Sequence, residues 1–434
     1  MAGMLAPFPS RTAALLAALV LGVGALGAGS GCAATSEDPN PNGDGAEQGD
    51  EADLTRRPND AQMNDVTTVL PLAKTQSEFD SYLAATSAGV GGPLLPKALY
   101  TKVIPDPTGP GGVGADVQMR YANLRIVALR FDPCFANVGP ITDPGSCQNQ
   151  LRVIFQSLEF KDGSTSAIDG AVHAFYSLTR EELTTAIQEV VALRHASGQT
   201  ADLSALQPHP LVVKQGLDGA YAKGLAKIVL EHAGASKLIR FTHFAGHNLA
   251  TSWDFIGFDV AQGATTPMII PTLPAGTKSV NFFAGFAGPI AGGFTPATTS
   301  KDDVGVLVNI DKANAATPAA RQAAYDAAIR IQSPDHDSPN TIDCASCHVA
   351  QAAQVLMGEG KFNLSPSADS KPFARNTKYV SAADFAQTTS PTKQASGFNV
   401  HMLSYKSTAL QIGQRVINET AAVVAYVNSQ VLPK

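Results

Sequence analysis

Short apolar runs separated by Gly-, Pro- and Asp-rich breaks dominate the chain between residues 66 and 310. Runs at 124–131, 151–160, 171–176, 238–244, 253–260, 280–286 and 304–310 have the length and composition of strands. In the second run Leu151, Val153 and Phe155 share one face at period two. Two stretches switch to helical periodicity. Thr179 and Glu182 form a capping-box pattern, Leu183, Ala186, Ile187, Val190 and Val191 make one apolar stripe behind it, and Gly198 closes the segment. Asp218 opens the second, with Tyr221, Leu225, Ile228 and Val229 on one side and Gly234 at its end. Many strands with few helices predict an α+β, strand-rich domain over 66–310. From 311 the pattern becomes Ala-rich and helical. Thr317-Pro318 is an N-cap followed by proline at the first helical position, and the spacing predicts a helix to about 332, stopped by Pro334. A final helix is predicted around 419–431. No internal repeat is visible.

The N-terminal pattern is of another kind. Arg11 is the only charge in the first stretch, and an apolar run at 13–28 leads into Gly29-Ser30-Gly31-Cys32. This is the layout of an export signal over residues 1–31. The small residues before Cys32 resemble a bacterial lipobox, although Gly29 stands where that family usually has an aliphatic residue. The resemblance implies that Cys32 becomes the first mature residue and carries lipid, and that Ala33 permits sorting to the outer membrane. At about 0.8 kcal/mol per buried CH₂, several acyl chains would hold the protein firmly. The alternatives are an ordinary signal peptide cut near Cys32 or an anchoring helix, for which the run is marginal. Residues 32–65 are acidic and rich in Pro and Gly, with almost nothing to bury, and are expected to form a disordered linker. It would let the folded body stand clear of lipid headgroups.

Composition narrows the function classes. The 434 residues are 44% apolar with mean hydropathy near zero, which leaves room for two cores. The net charge of −6 gives no footprint for nucleic acid. Cys134 and Cys147 are expected to pair as a disulfide in an oxidising envelope, closing a short loop at a gain of about 3 kcal/mol.

The remaining cysteines carry the strongest chemical signal. Cys344-Ala345-Ser346-Cys347-His348 sets two thiols three positions apart with a histidine beside the second. Such thiols can add across the two vinyl groups of a haem, and the adjacent histidine then reaches the iron. A zinc or dithiol redox site is the other use of a CxxC pair. Together with the preceding helix and the aromatic Tyr426 on the last one, the motif resembles a single-haem cytochrome c domain over roughly a quarter of the chain. The long loop before Cys344 and the missing Gly-Pro after the motif depart from that family. The resemblance implies an all-α haem domain at 311–434 holding one covalent haem c, with His348 as proximal iron ligand. The distal ligand is expected to be Met402, with His401 or an open position as alternatives. Met357 lies too soon after His348 and reads as core. Arg375, Lys378 and Arg415 are candidates for the haem propionates.

Other constellations are weaker. Residues 109–114 match GxGxxG by letters, but no strand precedes them, so they read as a loop. His243 and His247 are four apart, yet the flanking sequence reads as a strand, not as a metal-binding helix. His173, His195, His209 and His232 are scattered and read as structural, while His336 precedes the haem motif and can touch the haem edge. The leading expectation is an exported, lipid-anchored c-type cytochrome of the outer membrane or facing the periplasm. It would pass single electrons to a redox partner protein in the cell envelope. Two alternatives stand beside it. One is a redox enzyme whose 66–310 domain acts on a substrate with the haem as electron port. The other is a binding lipoprotein with a structural haem.

Overall fold

The computed structural model describes residues 60–101, 121–133, 148–199, 206–246, 252–268, 281–283, 310–334, 344–354, 357, 362–370 and 401–432. All of them belong to one unit, Arg56–Lys434. The export signal, most of the linker, Cys32, Cys134, Cys147, the 109–114 loop, His247, His336, Arg375 and Lys378 lie outside the described residues.

A nine-stranded antiparallel sheet forms the centre. Its strands are β1 (Thr67–Val69), β4 (Leu124–Asp132), β5 (Gln150–Lys161), β6 (Ser164–Ala167), β7 (Gly170–Ser177), β8 (Leu238–Gly246), β9 (Ser252–Ala261), β10 (Ala264–Pro267) and β11 (Asn281–Phe283). The order is β1-β4-β5-β7-β8-β9-β10, with β6 paired to β5 and β11 to β9. A separate short ribbon pairs β2 (Ala88–Gly89) with β3 (Gly92–Pro93). The fold is thus mixed and strand-rich, as expected. The run at 304–310 differs, because Ile310 begins a short helix, Ile310–Ala315, and 304–309 lie outside the described residues.

Turn chemistry fixes the register. Asp162 and Gly163 join β5 to β6 with φ of 52° and 76°. A two-residue hairpin loop of this type needs positive φ at both positions, which Asp-Gly supplies. The predicted period-two pattern in β5 holds for Leu151, Val153 and Phe155, all fully buried. Its other face is also covered, since Ile154 and Gln156 are buried too. The sheet is therefore a middle layer. Tyr176 in β7 donates its hydroxyl to the Leu94 carbonyl at 2.8 Å, on the same face as Val153.

The long helices follow their sequence signals. The helix Arg180–Ala196 starts with the full capping box: Glu182 N donates to Thr179 Oγ1 at 3.1 Å, and Thr179 N to Glu182 Oε2 at 2.9 Å. The next long helix is Ala220–His232, two residues shorter at its start than Asp218 predicts, with Gly219 at the N-cap. Pro318–Ile331 is capped by Thr317 Oγ1, which accepts from Ala320 N at 3.2 Å. The motif helix is Cys344–Gln354. The last helix, Gln414–Tyr426, begins five residues before the predicted start and continues as a π-turn, Val427–Val431.

The C-terminal segment contains one element its helical pattern hides, a hairpin of β12 (Leu403–Lys406) and β13 (Ala409–Ile412). It docks on the Ile154 face of the sheet. Gln156 uses its whole side-chain amide there, donating Nε2 to Tyr405 O at 3.0 Å and accepting Tyr405 N at 2.7 Å. Thr67 and Thr420 share a buried hydroxyl hydrogen bond of 2.8 Å. No described helix is long and apolar enough to cross a membrane.

Candidate functional site

Antiparallel partners point their side chains to the same face. The register pairs Arg130 with Arg152, Ile154 with His173, and His173 with Thr242. Two neighbouring rows, one with Arg130 and Arg152 and the next with His173 and Thr242, therefore cross the middle of the sheet on the face that the C-terminal segment covers. A cavity opens between them. Its sheet wall is Arg130, Arg152, His173, Phe175, Arg240, Thr242 and Met268, and its other wall is Cys344, Cys347, His348, Met402, Leu403, Arg415, Val416 and Glu419.

The motif helix explains one wall. Residues three and four apart on a helix lie on one face, so Cys344, Cys347 and His348 all reach the cavity. Both cysteines are half-buried. The His348 ring is set by aromatic neighbours from two strands, Phe244 at 5.4 Å and Phe255 at 5.1 Å between centroids. The His173 ring stands 6.4 Å from that of His348.

Charge is concentrated at one end of the cavity. Arg130 binds Asp132 through Nε and Glu419 through a terminal nitrogen, each at 2.5 Å. Arg152 lies 3.0 Å from Asp132 and stacks on the Phe175 ring at 4.8 Å. Arg240 pairs with Asp259 at 2.6 Å. Arg415 is almost completely buried and donates to Glu419 and to the carbonyls of Ile331 and Ser333, while Asn418 donates to the carbonyl of Gln332. These bonds satisfy the carbonyls that the end of helix Pro318–Ile331 leaves open. Four guanidinium groups thus face three carboxylates. One terminal nitrogen of Arg130 and Nε of Arg152 are buried without a hydrogen-bond acceptor.

Protonation follows from this crowding. Burial alone would raise the Glu419 carboxyl, but Arg130, Arg415 and Arg152 outweigh it and hold it down at about 2. Burial, and then Arg152, His348 and Arg130, push the His173 imidazole well below its usual range, so it is neutral at physiological pH.

The sequence-predicted residues divide clearly. Cys344, Cys347, His348, Met402 and Arg415 come together at the cavity. His401 is not in its lining: its Nε2 lies 3.0 Å from Asp169, and its ring meets Phe244 edge-on at 5.1 Å. Met357 is fully buried, as the core reading expects. His243 sits in β8 on the opposite face, edge-on to Tyr100. His209 is indeed structural, stacked on Tyr221 at 4.3 Å. Sequence reasoning missed Arg130, Arg152 and His173. The available signal was a cation or imidazole in the middle of an otherwise apolar strand, a position that normally excludes it unless it has a partner or a task.

The donor set fits a haem: two thiols, one adjacent imidazole, and unsatisfied guanidinium N–H groups that suit carboxylate side arms. Among the described residues no group of three or more His, Cys, Asp or Glu could hold a bare metal ion. No family model matches the chain, and neither a curated protein nor a solved structure does.

Proposed function

We propose that the chain is an exported c-type cytochrome, lipid-anchored at Cys32, that carries single electrons for a redox partner protein in the cell envelope. The observation that carries this reading is the shared cavity, which the CxxCH side chains line together with Arg130 and Arg152, each of which keeps a buried guanidinium nitrogen without an acceptor. Each thiol of Cys344 and Cys347 would add across one vinyl group: sulfur forms the C–S bond, the hydrogen goes to the other vinyl carbon, and nothing leaves. His348 would supply the proximal nitrogen, with Phe244 and Phe255 holding its ring in place. Arg130 and Arg152 would take the propionates, because buried guanidinium groups bind carboxylates in charge-assisted pairs. Met268 and Met402, both buried, line the cavity with apolar surface that excludes water. A haem bound here supplies a one-electron carrier whose potential is set by its ligands, burial and hydrogen bonds.

The segment after 311 is accordingly read as a cytochrome c-like unit that borrows a wall from the preceding sheet. This favours an electron carrier over an enzyme with a separate substrate domain, since the sheet's polar rows are used at the haem cavity itself. The test is expression of the full chain with cytochrome maturation machinery, followed by reduced and oxidised spectra. A c-type haem spectrum that cycles reversibly and is unchanged by carbon monoxide supports the carrier. Carbon monoxide binding to the ferrous form points to an open site and to the enzyme reading.

A further inference from the structure

We propose that His173 is the second axial ligand of the iron, so that the haem is held between one histidine from the motif helix and one from the central sheet. This rests on the haem reading above and replaces the sequence-based expectation of Met402. Imidazole nitrogens bind first-row metals at roughly 2.0–2.1 Å, and a ring centroid lies about 1 Å behind its nitrogen, so two imidazoles on opposite sides of one metal stand about 6 Å apart. His173 and His348 stand at 6.4 Å. Closer stacking would leave no room for a metal, and a wider gap would leave one ring out of reach. The 48° between the ring planes is no obstacle, because each ring can turn about the axis it shares with the metal.

The rest of the surroundings agree. His173 is central in β7, paired with Ile154 on one side and Thr242 on the other, so its backbone is fixed by two ladders. Preorganised ligands on rigid elements are what a metal site needs. His173 is half-buried and lines the cavity, and no hydrogen bond among the described residues occupies its ring. Met402 lies against the same cavity but is packed to 3% exposure, as a core side chain would be. His401 is turned to Asp169. A second imidazole lowers the reduction potential relative to a thioether.

The experiment uses the full chain, matured with haem, and compares the parent with His173→Ala, His173→Met, Met402→Leu and His401→Gln. Mass measurement of the 344–348 peptide is made first, then absorption and electron paramagnetic resonance spectra. The parent should be low-spin and lack the weak far-red sulfur-to-iron band. His173→Ala should turn high-spin and bind carbon monoxide when reduced, and added imidazole should restore the low-spin form. His173→Met should gain the sulfur band and a higher potential, a result that misfolding could not produce. Met402→Leu and His401→Gln should keep the parent spectrum. A low-spin His173→Ala protein, or a parent sulfur band lost in Met402→Leu, overturns the assignment while leaving the haem reading intact. A peptide without added haem mass overturns both.

Discussion

Glu419→Gln removes the negative charge at the middle of the buried arginine cluster while keeping side-chain volume. Glu419 bridges Arg130 and Arg415, and all three side chains are nearly inaccessible to solvent. A carboxyl held at about 2 instead of its usual 4.5 carries about 3 kcal/mol of charge-dependent stability. Breaking one partner of a buried pair costs about 3–5 kcal/mol in general, because the charges left behind stay desolvated. The two figures agree, so the variant should lose about 3 kcal/mol or more at neutral pH. The sign with pH is fixed by the depressed folded value: the contribution is complete above about 4.5 and is lost as pH falls through about 2. Denaturant unfolding of parent and variant across that interval is the assay. The stability curves should be far apart at neutral pH and should converge as acid protonates Glu419 in the parent. A loss below about 1 kcal/mol at neutral pH, the range of an ordinary surface substitution, would refute the coupling, as would a gap that does not change with pH.

Burial, and then Arg194, holds His209 down at about 3, well below its usual 6.5. Stability from keeping it neutral should be complete above about 6.5 and decline as pH falls towards 3, and a His209→Phe variant should show a flatter pH profile in thermal unfolding. Gly234 has φ of +156°, and a Cβ there would lie 2.3 Å from the Val90 amide nitrogen, so Gly234→Ala should cost at least about 1–3 kcal/mol by denaturant midpoint. Gly198→Ala is the control: φ is +75° but nothing lies within 4 Å, so the cost should stay near about 1 kcal/mol.

Local signals were legible because they act over a few residues. The capping box at Thr179, the cap at Thr317 and the period-two face of Leu151, Val153 and Phe155 each depend on neighbours in the chain, and each stands where the pattern puts it. The Cys344–His348 cluster was legible for the same reason. What escaped was everything made by distant pairing. His173 reads as structural until the β7–β8 register and the motif helix bring it opposite His348. Arg130 and Glu419 are far apart in sequence, and neither strand nor helix periodicity announces that they meet. The β12–β13 hairpin was hidden because its four-residue strands are too short for an alternation signal. It is fixed by tertiary contacts, with Gln156 bonding Tyr405 and the Tyr405 hydroxyl donating to the Leu70 carbonyl at 2.7 Å. Arg415 was read as a candidate for a haem propionate. It lies inside, where it closes the end of a helix as well as lining the cavity.

In the proposed reading, the sulfur atoms of Cys344 and Cys347 bind a porphyrin in the cavity under the sheet. Protease digestion of matured protein, with mass spectrometry of the fragment spanning these residues and a pyridine haemochrome spectrum of the intact sample, tests it directly. One haem added per fragment is the expected result, abolished when both cysteines are changed to serine. A colourless protein whose fragment has the unmodified peptide mass would contradict it.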